Sequence, residues 1–362
     1  MNDYDVITIG GATQDVFARC EGAQVIRQSG RSHENAWIGF DYGAKLPIDD
    51  LRFMVGGGAT NTAASFSKLG LRTATVAKLG LDGAGDHVVA ELTRQGIDTS
   101  LLCRAPGQTG YSIILTSYEG ERSVLAYRGL NRELGIQDLD FARLGQTGWF
   151  FISSLSGTSA DLLAPLLDFA NTQGIKVALN PGRSQLTGGI EALKAQLAKV
   201  DLLFLNRQEA AEFVSEEPAI PRGQDGQNGQ GHPVRPAEMY DLDHVFFRLG
   251  GLTRQAVIIT DGRRGTQLWH QGKIWVMPVY PVVVADVLGA GDAFGAAFCA
   301  SWIQATDPAA ALKFASANAA GVVTIPGAHE GLLDRAGIAA MQERHSRIVP
   351  ASYTLTWSPP RS

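Results

Sequence analysis

The sequence predicts an α/β fold: a central, mostly parallel sheet flanked by helices, with a small β lid. Short apolar, β-branched runs alternate with segments whose apolar residues recur at helical spacing, which is typical of βαβ units. Two stretches interrupt this alternation, residues 17–55 and 107–130, and we assign both to the lid. The predicted strands are Val6–Ile9, Thr75–Leu79, Phe150–Ser153, Val177–Leu179, Leu202–Leu205 and Val257–Thr260, and the predicted helices are Ala63–Leu69, His87–Gln95, Ala160–Gln173 and Ile190–Ala198.

The second lid stretch carries the clearest local signal. Two alternating runs between Tyr111 and Arg128 flank Glu119–Glu121, a pattern that predicts a β-hairpin. A hairpin inserted among parallel βαβ units cannot easily join their sheet, so we expect it to project from the core. Residues 215–236, rich in Gly, Gln and Pro, are expected to form a mobile loop, and residues 346–362 a C-terminal tail outside a single domain of residues 1–345.

Composition excludes several classes of function. The formal net charge is −5, whereas phosphate-backbone binding favours a basic surface, so we expect no nucleic-acid partner. The longest apolar runs are far shorter than the roughly 20 residues of a spanning helix, so no membrane insertion is expected. The opening MNDYDVITIG has acidic residues where a secretory signal would be positive, which favours a cytoplasmic protein.

The most informative segment is Asp286–Asp292, in which small residues lead directly into a helix that is apolar on nearly every side. Gly289, Ala290 and Gly291 would present backbone N–H groups at a helix N-terminus, where an anion such as a transferring phosphoryl group can be held. Asp292 would lie in the first turn beside that anion. A carboxylate there can accept the proton of a substrate hydroxyl, although it could also serve only as a first-turn carboxylate.

The same four letters occur earlier, in Gly83–Asp86, and the context separates the two copies. The earlier copy opens an amphipathic helix with one polar face. We therefore predict that Asp86 is an exposed capping or first-turn carboxylate.

A second glycine cluster, Gly56–Asn61, also runs into a helix of small residues. It lacks the Gly-Lys-Ser/Thr ending of a P-loop and the spacing of a dinucleotide fingerprint. Gly57 and Gly58 would let a polyol approach the backbone, and Asn61 can donate to or accept from hydroxyls; a tight strand-to-helix connection is the alternative. Asp15 follows the first strand near the edge where open α/β sheets bind ligands, and it is either a ligand contact or a turn residue.

Two further strands end in polar residues on the same edge. Asn206 to Glu209 begin a helix after one strand, and Thr260 to Gly265 follow the next. Glu209 could organise Mg²⁺ through water, because that ion keeps several waters and needs few protein carboxylates. The alternative is an ordinary first-turn carboxylate.

Taken in order, these motifs resemble the ribokinase-like, or PfkB, carbohydrate kinase family over roughly residues 5–341. The resemblance implies an α/β core with a β lid that transfers the γ-phosphoryl of ATP, with Mg²⁺, to a hydroxymethyl group of a sugar, nucleoside or related alcohol. The matching pieces are Gly10–Gly11 with Asp15, Gly56–Asn61, Gly80–Asp82 with Gly85, the hairpin, Asn206-x-x-Glu209, Thr260-x-Gly262-x-x-Gly265 and Asp286-x-x-Gly289-Ala290-Gly291-Asp292.

The resemblance also implies a role for each matching residue. Asp292 would be the base and Gly289, Ala290 and Gly291 the anion hole. The positions that hold the acceptor are Asp15, Gly57, Gly58 and Asn61; those for ATP are Asn180, Asn206, Thr260, Gly262, Gly265 and Asn318; Glu209 would serve the metal; Asn131 resembles a further polar position near the lid.

The sequence departs from the family pattern at Val287 and Leu288, where family members often have Thr. These substitutions remove side-chain hydroxyls but leave the backbone N–H groups of the anion hole, so we expect activity to survive. Family members differ in their dependence on a monovalent cation such as K⁺, and carbonyls near Asp286, Leu288 and Ala328 are candidates for that site.

Sequence reasoning leaves the acceptor and the assembly open. A sugar kinase is the leading hypothesis; a nucleoside kinase of the same family and a non-catalytic sugar or nucleoside sensor are alternatives. A nicotinamide dehydrogenase is disfavoured by the missing Gly-x-Gly-x-x-Gly. A homodimer that pairs through the lid hairpins is a further hypothesis.

Overall fold

The computed structural model describes residues 2–20, 22, 24–29, 34–116, 122–182, 185–186, 190–214 and 242–355. The expected mobile loop at 215–236 and the hairpin turn lie outside these residues. The strands are β1 Tyr4–Ile9, β2 Thr13–Arg19, β3 Gln24–Ser29, β4 Glu34–Gly39, β5 Asp50–Gly56, β6 Thr73–Val76, β7 Lys78–Gly80, β8 Cys103–Ala105, β9 Gly110–Thr116, β10 Arg122–Tyr127, β11 Thr147–Ile152, β12 Lys176–Leu179, β13 Leu202–Asn206, β14 Ala256–Thr260, β15 Thr266–His270, β16 Lys273–Met277 and β17 Ala351–Thr354. The helices are α1 Gly58–Lys68, α2 Gly83–Arg94, α3 Phe141–Leu144, α4 Leu163–Gln173, α5 Ile190–Leu197, α6 Arg207–Val214, α7 Leu242–Leu249, α8 Ala290–Gln304, α9 Pro308–Val322 and α10 Arg335–Arg344.

The central sheet has the order β17-β16-β15-β14-β13-β12-β11-β1-β6. Strands β6, β1, β11, β12, β13 and β14 are parallel, as the alternation of strand and helix patterns predicts, and β15 to β17 are antiparallel. The chain leaves β1 towards β6 and later returns on the other side of β1 at β11. Ligands bind outside the carboxyl ends of parallel strands at such a reversal.

Both faces of this sheet are covered by helices. Consecutive strand residues such as Phe150 and Phe151 point to opposite faces, so each strand contributes side chains to two hydrophobic cores. Phe150 belongs to the core that includes residues of α4 and α7, whereas Phe151 packs with Phe66 of α1 and Phe298 of α8. The two layers of helices fix α1 and α8 against the same face of the sheet, where they contact each other.

The lid is a separate four-stranded sheet of order β10-β9-β2-β5. The predicted hairpin is confirmed, because β9 and β10 pair antiparallel with Tyr127 opposite Tyr111. The sheet begins earlier in the chain than the predicted residue 17, at Thr13, since β2 pairs with both β5 and β9. Strands β3 and β4 form their own two-stranded sheet.

Some boundaries differ from the sequence-based expectation. The single strand predicted at Thr75–Leu79 is divided, because β6 joins the central sheet and β7 pairs instead with β8. The segment assigned to a C-terminal tail contains β17, whose residues are exposed and which pairs with β16 at the edge of the central sheet. Within the described ranges, none of the helices combines the length and apolar character required to cross a bilayer.

Candidate active site

Asp292 lies in the first turn of α8, and the loop before it has a backbone that glycine alone adopts without strain. Gly289 is the N-cap with φ of 72°. A Cβ at Gly289 would lie 2.7 Å from the Cβ of Ala328, so the close approach of the two loops also requires glycine. The Ala290 N–H makes a long contact of 3.3 Å with the Val287 carbonyl. The predicted anion hole therefore depends most on the amides that follow, which in the first turn of a helix have no intrahelical partner.

The Asp292 carboxylate lies between the N-termini of two helices. The Asn61 Nδ2 of α1 donates to Asp292 Oδ2 at 2.8 Å, and a Cβ built on Gly58 would lie 3.8 Å from Asp292 Oδ1. Burial raises the pKa of Asp292 to about 6, against a smaller lowering by the Asn61 hydrogen bond. The carboxyl is thus a stronger base than an exposed aspartate, and it is still ionised at neutral pH.

The start of α1 is built from glycines that admit close neighbours. Gly57 caps the helix with φ of 101°, and a Cβ there would collide with the Gly11 carbonyl. A Cβ on Gly58 would lie 2.7 Å from the Cβ of Ser153 and 3.0 Å from its Oγ. Sequence reasoning missed Ser153; its Oγ is buried and has no hydrogen-bond partner among the described residues. The connection between β5 and α1 is therefore as tight as the alternative interpretation of this glycine cluster predicts, and it lies directly beside Asp292.

Asp15 is not at the end of a central strand, as the sequence suggested, but inside β2 of the lid sheet. It is buried, it accepts a hydrogen bond from Thr13 Oγ1 at 2.8 Å, and it lies opposite Ser112 of β9, which also hydrogen-bonds to it. Burial raises its pKa, and the bonds from Ser112 and Thr13 lower it. Asp15 is therefore a lid carboxylate, neither a turn residue nor a helix cap.

An ion pair that no local sequence pattern predicts joins the lid to the loop before α8. Arg122 of β10 pairs with Asp286, whose side chain is buried. Asp286 also accepts from the Leu288 N–H at 3.1 Å and from the Gly327 N–H at 3.4 Å. One carboxylate thus joins the lid, the loop before α8 and the loop after α9.

Five of the six predicted ATP residues lie at or just beyond the carboxyl ends of three adjacent strands. Asn180 follows β12 and its Nδ2 donates to the Phe204 carbonyl of β13 at 3.0 Å. Asn206, which ends β13, lies opposite Thr260, which ends β14. Gly262 and Gly265 shape the turn after β14 with φ values of 52° and 93°, and a Cβ on Gly265 would collide with the Met277 carbonyl. The structure places these residues along one edge.

Asn206 and Glu209 cap α6 reciprocally. The Asn206 N–H donates to Glu209 Oε2 and the Glu209 N–H donates to Asn206 Oδ1, both at 2.8 Å. Burial raises the pKa of Glu209, and the charges of Glu212 and Asp292 raise it further. Because the charge of Asp292 raises the pKa of Glu209, a divalent cation near Glu209 would offset that repulsion.

These residues fit a water-rich magnesium site better than a protein cage. In the part of the chain that the structure describes, no three His, Cys, Asp or Glu side chains come together in a group that could hold a metal. Mg²⁺ usually keeps several waters and takes one or two carboxylates together with substrate phosphates. Glu209 meets that requirement, and it would hold the ion through water.

The Asn318 amide is hydrogen-bonded to partners inside the protein. Its side chain is fully buried, its Nδ2 donates to Ser65 Oγ and to the Ala293 carbonyl at 3.0 Å each, and its Oδ1 accepts from the Leu333 N–H at 2.9 Å. Both amide hydrogens are therefore used inside the protein. Asn318 joins α9, α1, α8 and the loop before α10, and these contacts do not support the prediction that it binds ATP.

Asn131 and Asp86 also have defined structural partners. Asn131 exchanges two hydrogen bonds with the backbone of Ala12, at 3.0 and 2.8 Å, and so fixes the chain between β1 and β2. Asp86 is exposed in the first turn of α2 and pairs with Arg104 at 2.7 Å. The prediction that the first Gly-Ala-Gly-Asp copy is a surface feature is confirmed.

Comparison with known proteins agrees with this arrangement. A model described as pfkB family carbohydrate kinase matches residues 30–335. An ATP-dependent ribose-1-phosphate kinase from Halopiger xanaduensis is 27% identical over 270 residues, which are 74% of this chain and 79% of that protein. Among solved structures, Arabidopsis thaliana ribokinase complexed with ribose and ATP has a TM-score of 0.70 at 20% identity and covers 98% of this chain and 99% of its own. An E. coli protein solved with ATP and Mg²⁺ has a TM-score of 0.73 at 21% identity and covers 94% of this chain and all of its own, 100%.

The two solved structures support the fold, and the family model supports the family. That model spans most of the chain, from just before β4 to the start of α10. The order of glycine-rich motifs, the parallel sheet with its separate β lid and the half-buried Asp292 at a helix N-terminus all agree with it. The chain therefore belongs to the pfkB family of carbohydrate kinases, phosphotransferases with an alcohol group as acceptor.

Proposed function

We propose that the protein moves the γ-phosphoryl group of ATP to a primary hydroxyl of a sugar or related alcohol, with Asp292 as the general base. The observation that carries this proposal is the position of Asp292, between the N-termini of α1 and α8 and hydrogen-bonded to Asn61. Its pKa of about 6 suits a base that must be ionised at neutral pH yet accept a proton in the transition state.

The N-terminus of α8 would hold the phosphoryl group during transfer. Amides of the Gly289–Gly291 segment and the helix dipole offer positive potential there, and Asp292 projects from the same turn. A hydroxyl in contact with Asp292 would lie in line for attack on a phosphorus held at the helix end. Positioning of both reactants by one helix turn would supply much of the rate enhancement.

The acceptor would bind between the lid and the start of α1. Asp15 and Ser112 present polar atoms from the lid sheet, and Gly57, Gly58 and Asn61 form the opposite wall. Carboxylate, hydroxyl and amide groups at these places match the hydroxyls of a polyol. The lid would exclude water, which competes with the acceptor for the phosphoryl group.

ATP would lie along the carboxyl ends of β12 to β14, beside Asn180, Asn206, Thr260 and the Gly262–Gly265 turn. Glu209 would hold Mg²⁺ through water, and the ion would neutralise charge on the phosphates. A K⁺ ion near the carbonyls of Asp286, Leu288 and Ala328 stays a prediction, as does a cytoplasmic location.

A homodimer through the lid is part of the proposal. One face of the lid sheet carries Leu51, Phe53, Ile113, Leu125 and Tyr127, all exposed in the single chain. These residues lie side by side on neighbouring strands. Val16 of β2 pairs with Phe53 of β5 and with Ile113 of β9, and Ile113 in turn pairs with Leu125 of β10. A second copy placed on this face would bury the apolar surface without touching Asp15, which points to the other side of β2.

The experiment is ADP release from ATP·Mg²⁺ across a panel of sugars, phosphorylated sugars and nucleosides, with and without K⁺. The panel separates the sugar kinase from the nucleoside kinase of the same family. Asp292→Asn should lose turnover by a factor of about 10² to 10⁴. Asp86→Asn is the matched control, because Asp86 has the same Gly-Ala-Gly-Asp context on the surface, and it should keep full activity.

Two results would overturn the proposal. One is near-normal turnover by Asp292→Asn. The other is no turnover with any acceptor while the acceptors still raise the melting temperature, which would favour the non-catalytic sensor.

A further inference from the structure

His329 is joined to Asp292 by hydrogen bonds through Asn61. The Asn61 Nδ2 lies 2.8 Å from Asp292 Oδ2, and the Asn61 Oδ1 lies 3.0 Å from His329 Nε2. On the far side, His329 Nδ1 lies 3.1 Å from Gln95 Nε2, which also donates to Glu91 Oε1 at 2.7 Å. The series runs from α2 to the first turn of α8 and crosses the loop that follows α9.

Chemistry fixes the direction of every bond in this series. The Asp292 carboxylate can only accept, so the Asn61 amide must turn its NH₂ towards Asp292 and its oxygen towards His329. That oxygen needs a donor, so the proton of the imidazole lies on Nε2. Nδ1 then accepts from Gln95, whose amide nitrogen can only donate. One arrangement of protons satisfies all four hydrogen bonds, and it requires a neutral imidazole.

The surroundings keep the imidazole neutral. Burial lowers the pKa of His329 to about 4, and the charges of Glu91 and Arg94 on α2 act in opposite directions on it. Glu330, beside it in the same loop, accepts from the backbone N–H of His329. His329 thus keeps one protonation state throughout the neutral pH range, which makes it a fixed donor rather than a titrating one.

We propose that His329 is a positioning residue for phosphoryl transfer: its Nε2–H holds the Asn61 amide so that the NH₂ faces Asp292. This inference rests on the proposed role of Asp292 as base. Without the donor at position 329, the Asn61 amide is free to rotate, and its oxygen would repel the carboxylate. Asp292 would then lose the hydrogen bond from Asn61 that favours its ionised form and its rotamer.

The two residues before His329 fix the position of its loop. Gly327 has φ of 108° and Ala328 packs against Gly289, so the loop after α9 is fixed against the loop that begins α8. His329 follows directly and reaches α1. The catalytic aspartate is therefore oriented by three segments that are far apart in the chain.

The test compares His329→Ala with His329→Gln and Asn61→Ala. His329→Ala should lower kcat roughly tenfold near neutral pH, in keeping with the loss of one hydrogen bond to a charged group, with KM for ATP and acceptor within about twofold. The acidic limb of the kcat profile should move to higher pH. His329→Gln, whose amide can donate to Asn61, should restore most of the rate. Asn61→Ala should show the same shift of the limb, and the double variant should lose no more than Asn61→Ala alone.

The outcomes separate the inference from the proposed function. A loss of kcat that is equal at every pH and is accompanied by lower melting temperature would mean a merely structural role and would overturn the inference. An unchanged kcat profile in His329→Ala, with Asp292→Asn inactive, would also overturn it while leaving the proposed function intact. An active Asp292→Asn would instead overturn the proposed function. If His329→Ala fails to fold, His329→Gln against Asn61→Ala makes the same comparison.

Discussion

Gly58→Ala is the perturbation whose effect can be worked out most fully from the structure. The new Cβ would lie 2.7 Å from the Ser153 Cβ, whereas ordinary contact begins at 3.4 Å, so the start of α1 and Ser153 must separate by about 0.7 Å. Overpacking of this kind costs roughly 1–3 kcal/mol, against a gain of up to about 1 kcal/mol when alanine replaces glycine in a helix. The variant should lose about 1–2 kcal/mol of the free energy of unfolding.

The same displacement of α1 should also lower kcat. Asn61 is one turn further along α1 and carries the hydrogen bond to Asp292. A shift of a fraction of an ångström at that bond is expected to lower kcat by at least tenfold. The Cβ itself would lie 3.8 Å from Asp292 Oδ1, which is ordinary contact, so the loss would come from the displaced helix and not from a direct clash.

A pair of second-site changes tests this reasoning. Ser153→Gly removes both atoms that the new Cβ meets, so Gly58→Ala combined with Ser153→Gly should recover stability and most of kcat relative to the Ser153→Gly parent. Ser153→Ala keeps the Cβ and should not rescue. Urea unfolding and steady-state kinetics measure the two effects. Equal behaviour of the two double variants, or a Gly58→Ala protein with wild-type stability and kcat, would refute the packing argument.

Three further predictions follow from single contacts. Because a base must be ionised to act, the raised pKa of Asp292 means that kcat/KM should be constant above pH 7 and fall tenfold per unit below about pH 6; a limb centred near 4 would contradict the burial of that carboxyl. Asn318→Ala should lower the free energy of unfolding by about 2–3 kcal/mol in urea because it leaves Ser65 and two backbone groups without their partner, with KM for ATP within twofold; a large rise in that KM at unchanged stability would restore its predicted contact with ATP. Arg122→Gln should raise KM for the acceptor severalfold and lower the free energy of unfolding by roughly 1–3 kcal/mol, since it leaves the buried Asp286 carboxylate without its cation. Both effects should be absent in an Asp286→Asn background, and additive losses would mean that Arg122 acts elsewhere.

Local patterns in the sequence were sufficient for most of the fold. Strands such as β13 and β14 are continuous apolar runs because they are buried on both faces, and this pattern is typical of parallel sheets. The division of Thr75–Leu79 between two sheets could not be foreseen, since it depends on pairing: β6 pairs with β1, whereas β7 pairs with β8. The exposed strand β17 has no apolar pattern, and only its pairing with β16 defines it.

The sequence also separated the two Gly-Ala-Gly-Asp segments correctly. The helix after Asp86 has a polar face and that after Asp292 has almost none, and hydrophobic periodicity is a local property. The prediction that Asn318 binds ATP stays a prediction, because a local pattern cannot decide it. An asparagine on a helix has the same local pattern whether its amide faces a ligand or three buried partners, and those partners come from other segments.

By itself the sequence determined the architecture, the family and the identity of the aspartate that we propose as base, because periodicity, capping and glycine spacing are encoded within short segments. Only the tertiary structure decided what surrounds that aspartate. Asn61 lies 231 positions from Asp292, and His329 lies 268 positions from Asn61. The lid residue Arg122 meets Asp286 across 164 positions. The physical reason is that hydrogen bonds and burial depend on distance in space, and packing of helices from both ends of the chain onto one sheet creates those distances.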